Sequence, residues 1–189
     1  SETLKTLGRD HSPADAIAAY EILRQAGFEN ISIDLMFSIP GQSEADWETT
    51  LKHAVSSEPD HISAYNLTYE EDTEFLTRHQ RGELDADEDR DASLFHQAID
   101  FLGENGYAHY EISNYARPGF ESRHNRAYWS GADYLGLGPG AVSTMAGERS
   151  KTLPDTAAYV RATQAGLDTR VEIERLSESD RRLEALAMQ

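Results

Sequence analysis

Six side chains between Arg117 and Trp129 carry the densest chemistry in the chain: Arg117, Arg123, His124, Arg126, Tyr128 and Trp129. A guanidinium is a planar fork that pairs bidentately with carboxylate or phosphate. Tyr128 and Trp129 offer flat apolar faces with a polar tip. Together they suit a planar ligand with acidic edges. His124 has two readings, a histidine held by its own loop or an imidazole that ligates a metal centre. All six lie in the stretch from Tyr110 to Ser143, YEISNYARPGFESRHNRAYWSGADYLGLGPGAVS, which shows no sustained helical or strand period. Loops of this composition carry function more often than cores do.

Three further groups could do chemistry. Gly136-Leu-Gly-Pro-Gly-Ala141 formally fits a G-x-G-x-x-A dinucleotide fingerprint. That fingerprint needs a helix to begin at the glycines and hold a pyrophosphate on its N-terminus, and Pro139-Gly140 leading into Val142-Ser143-Thr144 does not begin one. The glycines are expected instead to let backbone approach a flat ligand or a neighbouring strand closely. Asp34 has two readings, a buried carboxylate satisfied by backbone amides or a ligand-facing acceptor at the mouth of a barrel. His109 with Glu111 lacks a third ligand at useful spacing, which favours a core or surface role over a metal site. The chain has no cysteine. That excludes a disulfide, a thiolate nucleophile and a cysteine-ligated zinc or iron–sulfur site within these residues.

The elements that must position these groups follow from local signals. Ser12-Pro-Ala-Asp and Ser43-Glu-Ala-Asp are the same N-cap device used twice. The first opens a helix that closes at Gly27, with Ile17, Tyr20, Ile22, Leu23 and Ala26 as its apolar stripe. The second opens a helix whose buried face is Trp47, Leu51, Ala54 and Val55. After the first helix, Ile31, Ile33, Leu35 and Phe37 alternate with Ser32, Asp34 and Met36, the period of a strand. A second strand is expected from Ile62 to Leu67. Helix then strand, repeated at about thirty residues, predicts parallel strands with crossover helices, whose ligands sit at the strands' C-terminal ends. Asp34 with Pro40-Gly41-Gln42, and Thr68 with Glu70 and Glu71, are placed at that end. An acidic loop from Gly82 to Asp91 precedes a third helix with Leu94, Phe95, Ala98, Ile99 and Leu102 inward. A short strand from Tyr107 to Ile112 comes next, then a short helix around Thr156 to Ala165 and a capped helix from Ser177 to Gln189.

Five segments resemble one family. SIDLMFSIPGQ (32 to 42), ISAYNLT (62 to 68), YEISNYARPG (110 to 119), HNRAYW (124 to 129) and YLGLGPGA (134 to 141) are similar to the oxygen-independent coproporphyrinogen III oxidase family of radical S-adenosylmethionine (SAM) proteins. The HNxxYW element at His124 to Trp129 resembles the HemW-like heme chaperone branch. The resemblance implies an α/β fold, the C-terminal half of a partial (β/α)6 TIM-like barrel with an added β-hairpin extension. Residues 1–106 would form the barrel half, 107–170 a β-rich extension, and 171–189 the start of a C-terminal helical domain. The family's CxxxCxxC loop for a [4Fe–4S] cluster and its GGTP element do not occur in this sequence, so the chain is expected to be a piece that is inactive alone.

By the same resemblance, Arg9, Asp34, Thr68 and Val142 would face SAM: Arg9 at its polar end, Asp34 on the ribose hydroxyls, Thr68 and Val142 beside the adenine. Arg123, His124, Tyr128 and Trp129 are the heme-binding candidates, His124 as an axial ligand and the arginine toward propionates. No catalytic residue and no metal ligand is assigned. The implied functions are heme binding and transfer to a heme-accepting protein, or radical oxidation of coproporphyrinogen III, with a stand-alone heme- or partner-binding module as the third. A net charge of -17 repels phosphate backbones and anionic lipid. Nucleic acid and membrane surfaces are therefore not expected partners, and a cytoplasmic location is expected.

Overall fold

The computed structural model describes residues 2–69, 71, 73–82, 84 and 87–187. It divides into two compact units, Ser1–Glu121 and Ser122–Gln189. Glu70 and residues 83, 85 and 86 of the acidic loop lie outside the described residues, as do Met188 and Gln189 of the last expected helix.

In the first unit, helix α1 (Glu2–Thr6) precedes α2 (Pro13–Gln25), β1 (Ser32–Phe37), α3 (Glu44–Ser56), β2 (His61–Asn66), α4 (Glu74–Gln80), α5 (Glu88–Glu104), β3 (Ala108–Glu111) and β4 (Asn114–Ala116). Both expected capping boxes are present: the Ser12 and Ser43 hydroxyls accept from the Asp15 and Asp46 amides, and each carboxylate accepts from its cap's amide. These exposed carboxyls are held below their ordinary range by the serine bonds.

The sheet order is β1-β2-β4-β3, with β1 and β2 parallel and β4 antiparallel to both β2 and β3. Helices α3 and α5 cover one face. Phe37, Trp47, Leu51, Ile62, Ala64, Leu94, Ala98, Leu102, Tyr107 and Tyr115 form the core beneath them, and the Trp47 indole N–H donates to the Leu94 carbonyl at 3.0 Å. At the start of the sheet, the Asp60 carboxylate accepts from the Ile31 amide (3.0 Å) and from Arg24 (2.7 Å). That ion pair fastens α2 to the loop entering β2.

Three features go beyond the local signals. The stripe on α2 is not buried: Ile17, Ile22 and Leu23 are 47%, 63% and 39% exposed. Helix α4 was not anticipated, because seven residues are too few to show a period. The hairpin that follows Tyr107 is added to the first sheet beside β2. A tight turn at Ile112-Ser113 folds β4 back between β3 and β2, and the Ala64 amide donates to the Ser113 carbonyl at 2.8 Å.

The second unit contains α6 (Arg123–Trp129), β5 (Val142–Met145), β6 (Glu148–Thr152), α7 (Thr156–Gln164), β7 (Arg170–Arg175) and α8 (Glu178–Ala187). Its antiparallel sheet runs β5-β6-β7. Residues 171–175, expected to begin a helical domain, belong to β7, which pairs with β6. Arg149 joins this sheet to α8 through Glu184 at 2.8 Å. Among the described residues no helix is long and apolar enough to cross a membrane.

Candidate functional site

The period of two along β1 sends Ile33, Leu35 and Phe37 toward the helices, and Ser32, Asp34 and Met36 to the opposite, open face. Asp34 is exposed there. It is the third of six residues in β1, so it sits mid-strand and not at the C-terminal end where sequence placed it. Register then defines two rows across this face. Ser32 pairs with His61, and His61 with Ala116; Asp34 pairs with Ser63, and Ser63 with Asn114.

The first row is saturated with hydrogen bonds. Ser32 Oγ lies 2.8 Å from His61 Nδ1, and His61 Nε2 lies 2.8 Å from the Tyr110 hydroxyl. His61 is 6% exposed. Burial pushes its pKa below the ordinary value, while the Asp34 charge pulls the other way. The second row is different. Ser63 and Asn114 are both buried, and the Asn114 amide oxygen has no hydrogen-bond partner among the described residues. Sequence reasoning did not select either residue. Their signal was present but faint, as polar residues in otherwise apolar strands.

The remaining candidates are distributed as follows. Arg9 is exposed in the turn between α1 and α2. Thr68 is exposed and lies five positions beyond Ser63, the register partner of Asp34. Val142 begins β5 in the second unit, opposite Lys151. The glycine run packs on that hairpin. A Cβ built on Gly136 would lie 2.2 Å from the Val142 carbonyl oxygen. The Gly136 amide donates to Ser143 Oγ at 3.0 Å, and Thr152 Oγ1 donates to the Gly138 carbonyl at 2.6 Å. The run leads into β5, and its close neighbour is strand backbone.

The stretch around His124, expected as a loop, is helix α6, capped by Ser122 Oγ on the Asn125 amide at 3.2 Å. Positions i and i+4 share a helix face, so His124 and Tyr128 meet edge to face with ring centroids 4.8 Å apart. Tyr134, absent from the sequence candidates, continues the cluster 4.4 Å from Tyr128. Arg123 and His124 are exposed, and Tyr128 and Trp129 are 41% and 38% exposed. Arg117 does not belong to this cluster. It lies in the first unit with its guanidinium 5.5 Å from the Tyr107 ring centroid, and its amide donates to the Asp60 carbonyl. His109 stacks on Tyr115 at 4.6 Å, and its Nε2 lies 3.1 Å from the Ile112 carbonyl. Among the described residues no group of three or more His, Cys, Asp or Glu side chains could hold a metal ion.

A parallel pair, β1 and β2, joined by the crossover helix α3 and carrying polar side chains on the face away from the helices, makes the first unit an α/β fold. No family model matches the chain. It is 39% identical over 175 residues to the heme chaperone HemW of Lactococcus lactis, a match covering 92% of this chain and 46% of that protein. It is 38% identical over 142 residues to the mitochondrial radical S-adenosyl methionine domain-containing protein 1 of Danio rerio, covering 75% of this chain and 32% of that one. Its fold is similar to coproporphyrinogen III oxidase (HemN) from Escherichia coli, a radical SAM enzyme, with a TM-score of 0.79 at 20% identity over 98% of this chain and 46% of that one. The chain thus spans about half or less of the length of these proteins. It belongs to the HemN/HemW-like family of radical SAM proteins.

Proposed function

We propose that this chain provides a SAM-binding face and a heme-contacting helix for a heme chaperone of the HemW kind, acting in the cytoplasm and passing heme to an acceptor protein. The observation that carries this is α6. Folding HNRAYW as a helix puts His124 and Tyr128 on one exposed face beside Trp129. A neutral imidazole there can ligate heme iron, the two aromatic side chains can lie against the macrocycle, and Arg123 can take a propionate. SAM fits the first unit in one respect: an exposed carboxylate, Asp34, heads a row of polar groups whose buried amide oxygen lacks a partner among the described residues. Asp34 would hold the ribose hydroxyls, Arg9 the polar end, and Thr68 the adenine. When bound and supplied with an electron, SAM provides one-electron chemistry. The cluster that delivers such an electron needs cysteine ligands, and none of these residues is a cysteine.

Titration with ferric heme tests the helix. Wild type should give a saturable Soret shift typical of histidine ligation. His124→Ala should weaken binding about tenfold or more and change the band position, whereas Tyr128→Phe should retain the ligation spectrum. Specific binding with an unchanged spectrum in His124→Ala would remove His124 as ligand and the proposal with it.

A further inference from the structure

We propose that Ser63 and Asn114 act with Asp34 as one sugar-binding row, taking a ribose-type polyhydroxyl ligand across three strands of the open sheet face. The inference rests on the assignment of Asp34 to a nucleoside and adds two residues to it. Its ground is the contrast between adjacent rows. In the row Ser32–His61–Tyr110 every imidazole nitrogen meets a hydroxyl at 2.8 Å. One register step of two residues along the same strands, Asp34–Ser63–Asn114 shows no such internal closure among the described residues. Asn114 is 4% exposed with its amide oxygen unpartnered, and Ser63 is also 4% exposed. A buried amide oxygen left without a partner is costly enough that native proteins rarely keep one without a use.

The chemistry of the row selects the ligand. Asp34 accepts only, so it calls for hydroxyl or amine donors. The Asn114 amide both donates and accepts, and the Ser63 hydroxyl does either. Neighbouring strands are about 4.8 Å apart, so the row spans about 10 Å from Asp34 to Asn114. That length lets the carboxylate take a vicinal diol at one end while the amide meets another polar atom of the same ligand at the other. Anionic ligands are disfavoured. From Ser122 onward nine Lys and Arg balance nine Asp and Glu, so the first unit carries the whole net charge of -17.

Adenosine is the probe, with 2′,3′-dideoxyadenosine as the control that lacks the diol. Wild type should bind adenosine saturably by calorimetry, with amide chemical-shift changes at Asp34, Ser63 and Asn114, and should bind the dideoxy compound at least tenfold more weakly. Asn114→Leu, close in volume and without the amide, should raise the midpoint of thermal unfolding by about 5 °C, since it removes an unpartnered group, while weakening adenosine about tenfold. Ser63→Ala should weaken adenosine severalfold without lowering the midpoint. A lower midpoint for Asn114→Leu would show the amide to be structural and overturn the proposal. Loss of adenosine binding in Asp34→Asn, with wild-type affinity in Asn114→Leu and Ser63→Ala, would overturn the row and leave the Asp34 assignment standing. Absence of adenosine binding in wild type, or equal binding of the dideoxy compound, would overturn both.

Discussion

Replacing Asp60 should destabilise the first unit, because its carboxylate closes two hydrogen bonds at the start of the sheet. The side chain is 10% exposed and its Oδ2 serves two donors, the Ile31 amide at 3.0 Å and Arg24 at 2.7 Å. Asp60→Ala leaves the Ile31 N–H buried without an acceptor, which costs about 1–3 kcal/mol. It also removes a charge-assisted pair, discounted to about 1 kcal/mol because the guanidinium is 31% exposed. Arg24 itself is not stranded, since it also donates to the Tyr20 hydroxyl and to the Phe28, Glu29 and Glu58 carbonyls. The total is about 3 kcal/mol, a large part of the 5–15 kcal/mol or so that holds a typical domain. Asp60→Asn keeps an acceptor for the Ile31 amide and should cost about 1 kcal/mol. Urea unfolding followed by tryptophan fluorescence measures this directly. Trp47 is fully buried in the first unit, and a Trp129→Phe background leaves it as the only reporter. A loss below about 1 kcal/mol for Asp60→Ala, or equal losses for the alanine and asparagine variants, would refute the reasoning, because the orphaned amide distinguishes them.

Three other outcomes follow from local geometry. Gly136→Ala drives a Cβ to within 2.2 Å of the Val142 carbonyl oxygen, so the glycine run must separate from β5; a loss of about 1–3 kcal/mol in the second unit is expected, read from amide exchange along β5. His61, with its pKa held below 6.5 by burial, binds its proton more readily in the unfolded chain. Stability should therefore fall as pH drops through about 6.5 toward the lower folded value, and His61→Gln should flatten urea midpoints across that window. The cap carboxyls Asp15 and Asp46, lowered from 3.8, lose their contribution only as pH falls below that value, so the two windows separate. Ser43→Ala should cost about 1 kcal/mol through loss of its capping box, and Ser43→Asp should restore most of it.

The parts of this molecule legible in sequence are those fixed by neighbours along the chain. A serine three residues before an aspartate, followed by an apolar stripe, specifies a helix start from local hydrogen bonds alone, and both such starts form. The alternation through β1 likewise separates Asp34 from Leu35 without knowledge of the partner strand. Where signals are short, they fail. β4 has three residues and α6 seven, fewer than a period needs to declare itself, so β4 was not placed between β2 and β3 and HNRAYW was assigned to a loop. Helicity in α6 changes the chemistry, because it is what brings His124 against Tyr128 and places Arg123 and Tyr128 on different turns.

The two polar rows were beyond reach for a different reason. Ser32, His61 and Tyr110 meet only because β1 pairs with β2 in one register and β4 inserts between β2 and β3, a relation that joins residues 49 positions apart in the His61–Tyr110 bond. A shift of one residue in β2 would turn His61 and Ser63 to the helix-covered side and bring Ile62 and Ala64 to the open face. The hydrophobic side holds that register, since Ile62, Ala64 and Tyr115 are buried against α3 and α5. The apolar core thus sets the alignment, and the polar face inherits it. Asp34, Ser63 and Asn114 share a row because their neighbours one residue along, Leu35, Ala64 and Tyr115, are packed on the other side of the same strands.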